Sequence, residues 1–492
     1  MARLNKPVWI VLTTFFIGYL FLILRLHFNY STTDSDLGIY DQQIWFLSQG
    51  RLAISSFKDH NAFGDHFGLI EVLIAPLYWL WDSVIVLLLL QTLSIVLSAI
   101  PIYLTFKKHL KVKEIWAILF IIGYLLYFGF QAGTIFPFHL ATFSIVFIAW
   151  TIYAVLEEKW ALYWPMLVLA LICKEDIPLF GMVLGVYLLF KRKYLIGAAT
   201  LFISLFYFYV VIYKIMPYFV GRKYGYFVSQ LGDSPTQIIV NAILNPVRAV
   251  VYFFTPLVKL RTMISMFASF AFLPLLSPSF LLILSPFLAE RFLNDTLQRH
   301  LPWMHYSSNQ GPILAYGAIF GLVNLGKILP PFKLPDVVER SYIQIVVSLM
   351  LVLTLAVTIV YQMPLLNLLK VGFYIPIQGS GAIFEALKLV PPQASIGTQS
   401  ALQPHLSHRD HILKYPDPSN AADDREEDLP PEAKPEEYAI PERAEYLLLS
   451  ANAFHWRPQT KEEFLKLIDY VKTLPEWEVI FDREGTTLLK KL

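Results

Sequence analysis

Apolar runs close to the thickness of a bilayer recur along most of this 492-residue chain, and nothing constrains its fold more. A membrane span needs about 20 mostly apolar residues, fewer where a helix packs against protein instead of lipid. Candidate spans cover 8–28, 84–106, 115–131, 139–156, 160–173, 177–190, 194–215, 263–276, 279–289, 312–328 and 343–363, about eleven in all. The chain is 56% hydrophobic and 15% charged, whereas soluble domains carry nearer a quarter charged residues, so a soluble fold is excluded. The net charge of +2 offers no basic excess for a nucleic-acid partner, and membrane lipid is the expected surrounding. The single cysteine, Cys173, rules out an internal disulfide.

Two apolar stretches do not read as spans. The run 68–81 carries Glu71, Pro76 and two tryptophans, and 236–260 is interrupted by Asn241, Asn245, Arg248 and Lys259. Both suit helices lying at the interface. Pro178, Pro274, Pro278 and Pro286 break or cap the short spans, and such breaks are tolerated at membrane depth only where protein or a water-filled cavity covers the backbone. The first run, preceded by Arg3 and Lys6, reads as an uncleaved signal anchor.

Lysine and arginine in the short loops set the orientation. Arg3 and Lys6, then Lys107, Lys108, Lys111 and Lys113, then Lys191, Arg192 and Lys193, then Lys327, Lys333 and Arg340 fall on one side, which is therefore cytoplasmic. An odd span count puts the C-terminus outside. Residues 1–378 form the membrane domain, with an extracytoplasmic loop at 29–83, and 379–492 a small soluble α/β domain interrupted by an acidic, flexible loop at 417–442. Ala394–Thr398, Glu445–Ser450, Trp477–Phe481 and Thr486–Lys490 read as strands and Lys461–Lys472 as an amphipathic helix. The fold class is mainly α, polytopic, with that α/β appendage.

Ionisable residues gather on the extracytoplasmic side: Asp34, Asp36, Asp41, Asp59, His60, Asp65, His66 and Glu71 in the first loop, then His139, Lys174-Glu175-Asp176, Arg222-Lys223-Tyr224, and Glu290, Arg291, Asp295, Arg299, His300 and His305. Such groups are costly at membrane depth and are candidates for function by default. Each has a plainer reading: a helix cap for Asp34 and Asp41, a backbone bond for His139, an ion pair for Lys174 and Asp176, lipid headgroup contact for Arg222 and Lys223. His405, His408 and His411 have metal-like spacing, but no cysteine stands near them, Asp410 is the one acidic residue among them, and the segment precedes a strand, which favours a surface role.

The segment Asp34-Ser35-Asp36-Leu37-Gly38-Ile39-Tyr40-Asp41-Gln42, with His66-Phe67, Phe136-Pro137-Phe138-His139, Lys174-Glu175-Asp176 and His305-Tyr306, resembles a prokaryotic membrane-protein family defined as domain of unknown function 2079, itself similar to the GT-C membrane glycosyltransferases. The resemblance implies a GT-C-like fold and a polyprenyl-phosphate-linked sugar donor. It also implies an aspartate of the first loop as general base, Asp36 by position, with Asp34 and Asp41 as rivals. Arg222, Lys223, Arg291 and Arg299 are suited to a phosphate leaving group. His66, His139, Lys174, Glu175, Asp176, Tyr224, His305 and Tyr306 complete the expected substrate-binding set. Some GT-C enzymes bind a divalent metal through acidic residues and others do not, so Mg²⁺ or Mn²⁺ on Asp34, Asp36 and His66 stays open, as does the acceptor. A transporter or flippase of a lipid-linked or small polar solute, and a non-catalytic protein of the same fold, are the competing readings. Charges on one face and the absence of a visible repeat favour the enzyme.

The topology makes a direct prediction: a periplasmic reporter fused after Leu492 is active, and one inserted near Lys111 is silent. The reverse pattern removes the shared extracytoplasmic face.

Overall fold

The computed structural model describes residues 4–52, 54–56, 60–221, 229–328, 341–416, 434–453 and 460–492. The chain divides into two compact units, one of Met1–Leu22, Phe63–Glu71 and Leu88–Leu369, the other of Ile23–Ala62, Val72–Leu87 and Lys370–Leu492. Residues 23–62 and 72–87 thus pack with the C-terminal segment, and Phe63–Glu71 with the main helical body.

Among the described residues, six helices are long and apolar enough to cross a membrane: Lys6–Phe28, Ile85–Leu110, Glu114–Ile135, Tyr194–Val220, His305–Ile328 and Tyr342–Val360. Leu140–Leu156, Trp160–Leu171 and Pro178–Phe190 are the shorter helices expected from the proline-broken runs. Ile70–Trp79 takes the place of the first interfacial stretch. The second is a pair of helices, Thr236–Leu244 and Pro246–Phe254, bent by 113°. The bend falls where it must, because Pro246 has no N–H to continue the ladder and pushes Asn245 to φ −129°. Where one span was expected at 263–276, the helix Leu257–Ala268 ends early. Ala271 and Phe272 take positive φ, and a 3₁₀ turn, Leu273–Leu276, begins at the residue before Pro274.

The main body is held by close backbone contact as well as by apolar packing. A Cβ built on Gly185 would lie 2.7 Å from the Leu201 nitrogen and 2.9 Å from the Gly197 oxygen, so the helices Pro178–Phe190 and Tyr194–Val210 touch through glycine. Tyr19 and Tyr316 each spend their hydroxyl on a carbonyl of another helix, Leu125 at 2.6 Å and Ala149 at 2.8 Å, which lets a phenol sit in an apolar core.

In the other unit a five-stranded sheet is built from β1 (Ile396–Thr398), β2 (Ile412–Lys414), β3 (Tyr446–Ser450), β4 (Trp477–Arg483) and β5 (Thr486–Lys491), in the order β2-β1-β3-β5-β4. The first three are parallel, while β5 is antiparallel to β3 and β4. The four expected strands are present. β2 and the helix Ser380–Leu389 are additional. Glu484 and Gly485, at φ 52° and 73°, make the tight turn between β4 and β5. Lys461–Lys472 is helical as expected, opened by a capping box between Thr460 and Glu463. Of the expected acidic loop, 417–433 lie outside the described residues.

Gly185→Ala is expected to push the two helices apart and cost about 1–3 kcal/mol. Thermal unfolding of the solubilised protein reads this as a Tm several degrees lower, with no such drop for Gly372→Ala, where a Cβ meets open space.

Candidate functional site

In the first unit, the chain turns between Trp160–Leu171 and Pro178–Phe190 through Lys174, Glu175 and Asp176, all buried. Charges removed from water must find partners. Lys174 Nζ lies 2.8 Å from Asp176 Oδ2 and 3.6 Å from Glu175 Oε1. Glu175 also accepts from His66 Nδ1 at 2.8 Å and from the Phe67 amide at 3.2 Å. Burial by itself would raise the Glu175 carboxyl, but the charges of Lys174 and His66 outweigh it and hold the group below the ordinary carboxylate range. For Lys174, burial pulls the ammonium down, and Asp176 and Glu175 together carry it above its usual value. The plain ion-pair reading of Lys174 and Asp176 therefore holds, and Glu175 adds a second link.

Because the ionised Glu175 can only accept, the His66 Nδ1 that faces it carries a proton. His139 is set the other way: as cap of the helix beginning at Leu140 it accepts from the Ala141 amide through Nδ1 at 3.1 Å, which puts its proton on Nε2. The His139 ring stacks on His305 at 3.8 Å between centroids and stands edge-on to His66 at 6.2 Å. Tyr306 packs on His305 at 4.1 Å. His66, His139, Lys174, Glu175, Asp176, His305 and Tyr306 are thus gathered in one unit. Sequence reasoning counted Glu71 among the ionisable residues of the first loop but gave it no specific role; its two carboxyl oxygens are buried with no hydrogen-bond partner among the described residues. Burial, then the nearby Glu175 anion, push its pKa well above the usual value, which favours the protonated form. Its one signal in the sequence is a carboxylate inside the apolar run 68–81.

Arg291 and Arg299 are occupied. Arg291 donates to the Arg299 carbonyl at 2.6 Å, the Leu301 carbonyl at 3.1 Å and the Ser307 hydroxyl at 2.5 Å, which braces the 299–307 segment. Arg299 pairs with Glu290 and lies over the Tyr306 ring. Arg222, Lys223, Tyr224 and Asp59 lie outside the described residues.

In the second unit, Asp34–Gly38 form a wide helical turn leading into the helix Ile39–Ser48. Asp36, half-buried, holds φ 71°, a left-handed conformation that costs a residue with a Cβ. Asp41 is fully buried: it accepts from the Tyr78 and Ser407 hydroxyls and lies 3.0 Å from His408 Nε2. His408 Nδ1 is 2.8 Å from Asp82 Oδ1. The acidic partners of His408 therefore come from residues more than three hundred positions away. Burial would lower the His408 imidazole, but Asp41 and Asp82 outweigh it and raise its pKa. The expected surface role fails equally for His405, whose ring stacks on His27 at 4.1 Å, and holds for the exposed His411.

A family model described as a predicted membrane protein, DUF2079, matches residues 26–488. No curated protein matches. Five solved chains do, among them the crystal structure of ArnT from Cupriavidus metallidurans bound to undecaprenyl phosphate, at 12% identity and TM-score 0.55, with 99% of each chain covered. At that identity the likeness shows the fold, which is GT-C-like.

The state of Glu71 is open to titration. A carboxyl whose pKa is raised on folding contributes stability that is fully present below its unfolded value of 4.5 and is lost as pH rises toward its folded value. Glu71→Gln does not titrate, so its Tm should gain on the wild type as pH climbs from about 4 into the neutral range. A constant difference across that window would mean Glu71 is charged.

Proposed function

Since the chain belongs to the DUF2079 family of membrane proteins and has a GT-C-like fold, we propose that it is a membrane glycosyltransferase moving a sugar from a polyprenyl-phosphate-linked donor to an acceptor on the extracytoplasmic face. The observation that carries this reading is likeness over 99% of both chains to a structure bound to undecaprenyl phosphate. The lysine and arginine bias of the short loops supports the face.

In this reading Asp36 is the general base. Its backbone strain supports that role, because residues held in costly conformations concentrate at functional sites. Asp41 is a poor rival, since two hydroxyls and an imidazole already occupy its oxygens. Asp34 is the remaining one. The acceptor hydroxyl oxygen attacks the sugar carbon that bears the phosphate, and its proton passes to the Asp36 carboxylate. The bond from that carbon to the phosphate oxygen breaks, and polyprenyl phosphate leaves with the electron pair. A single displacement inverts the anomeric centre. Arg222 and Lys223 contact the leaving phosphate in this scheme. The steps balance without a metal, and chelation followed by Mg²⁺ or Mn²⁺ addition tests whether Asp34, Asp36 and His66 hold one.

Asp36→Asn keeps size and hydrogen-bonding capacity but cannot take the proton. Transfer in a reconstituted assay should fall by about a hundred- to ten-thousandfold with donor binding nearly intact. Arg222→Ala should weaken donor binding and turnover together, because the phosphate is charged in ground and transition states alike. Wild-type transfer by Asp36→Asn would move the base to Asp34.

A further inference from the structure

A cavity of about 930 Å³ opens in the first unit at the elbow between the helices Thr236–Leu244 and Pro246–Phe254. It is lined by residues that the glycosyl-transfer scheme does not use. Arg248 is exposed, and one guanidinium nitrogen donates to the Gln230 carbonyl at 3.1 Å. Lys259 is 1% exposed, its ammonium 2.9 Å from the Tyr252 carbonyl, 2.8 Å from the Phe292 carbonyl and 4.0 Å over the Tyr252 ring. Two carbonyls and the ring thus enclose the ammonium, which offers a ligand its charge. Asp295 is exposed and accepts from the Tyr252 hydroxyl at 2.6 Å through one oxygen, leaving the other for a cation.

The cavity thus holds two cations and one anion among its lining residues, and its surroundings are apolar. Leu244 is 69% exposed, Val247 78% and Ile243 72%, which is the surface of a helix pair bathed in lipid and not in water. A soluble ligand would have no use for that rim. A lipid would rest its acyl chains on it.

We propose that this elbow cavity binds the headgroup of an amine-bearing phospholipid, its phosphate toward Arg248 and Lys259 and its ammonium toward Asp295. A guanidinium suits the phosphate diester by two-point contact, and Lys259 adds a point charge from the floor. The carboxylate makes the site selective. An anionic lipid without an amine brings no counter-charge to Asp295, and a quaternary ammonium cannot donate a hydrogen bond. The cavity volume exceeds that of a phosphoethanolamine group several times over, so Val247 and Val251 can also enclose the glycerol and first methylenes.

Native mass spectrometry of the full chain, delipidated in detergent and offered equal amounts of phosphatidylethanolamine, phosphatidylcholine and phosphatidylglycerol, tests this. The wild type should retain the ethanolamine lipid. Arg248→Ala should lower that bound fraction about fivefold, a loss of order 1 kcal/mol for one charge-assisted contact. Asp295→Asn, which can still accept from Tyr252, should turn the preference toward phosphatidylglycerol. Both residues are exposed, so both variants should keep the wild-type melting profile. Equal retention of the three lipids by the wild type, or unchanged binding in both variants, overturns the proposal. So does displacement by soluble O-phosphoethanolamine at concentrations comparable to the lipid, which would assign the site to a free metabolite.

Discussion

Desolvated charge governs the arrangement of the first unit. Lys174, Glu175 and Asp176 sit in a buried turn between two short apolar helices, where none can be solvated. An isolated ion there would cost several kcal/mol, so the turn must collect counter-charges and donors from elsewhere in the chain. It collects them from 63–71: His66 and the Phe67 amide both reach Glu175, and the Ile70 amide reaches the Ile172 carbonyl at 3.0 Å. This explains why Phe63–Glu71 packs with the helical body while both of its flanking segments pack with the C-terminal sheet. Gly68 is part of the same constraint. A Cβ there would come within 2.8 Å of the Cys173 carbonyl, so only glycine allows the approach that the ion pairs require.

Much of this was legible in the chain because it is local. The polar interruption at Asn245 kept 236–260 out of the span count, and the helix Lys461–Lys472 announced itself through its period. The Lys174–Asp176 pair could be named from a spacing of two. What stayed hidden depends on distance along the chain. His408 looked like a surface residue because its partners, Asp41 and Asp82, are remote in sequence and are brought to it only by folding of the second unit. β2 was missed for a related reason: three residues carry too little alternation to register, and only parallel pairing with β1 makes them a strand. Arg291 carried the composition of a phosphate ligand, but its guanidinium is spent on two carbonyls and a hydroxyl, a choice made by the 299–307 segment and not by the arginine.

Asp36 and Asp41 show how environment divides residues of one type. They lie five positions apart, on the same turn and helix. One is wholly enclosed, its lone pairs taken by Tyr78, Ser407 and His408, and serves as a knot tying 41, 78, 82 and 407–408 together. The other sits half-buried on a backbone conformation that glycine would occupy at no cost. Sequence spacing could not separate them. Burial and backbone conformation do: Asp41 is enclosed with its oxygens already engaged, whereas Asp36 holds a half-buried, strained position.

The same principle operates between Glu71 and Glu175. Both are buried in the first unit, and their environments push them in opposite directions: Glu175 is held ionised by Lys174 and His66, whereas Glu71, with no donor to either oxygen and an anion for a neighbour, keeps its proton. Two carboxylates that close could not both be charged at low dielectric without a further cation. The Lys174 ammonium neutralises one negative charge, Asp176 draws on that same ammonium, and His66 also contacts Glu175. A protonated Glu71 adds no further negative charge beside the turn, whereas an ionised one would place a third carboxylate next to Glu175 and Asp176. The cost of one uncompensated acid group is smaller than that of an uncompensated charge, and the fold has accepted the smaller.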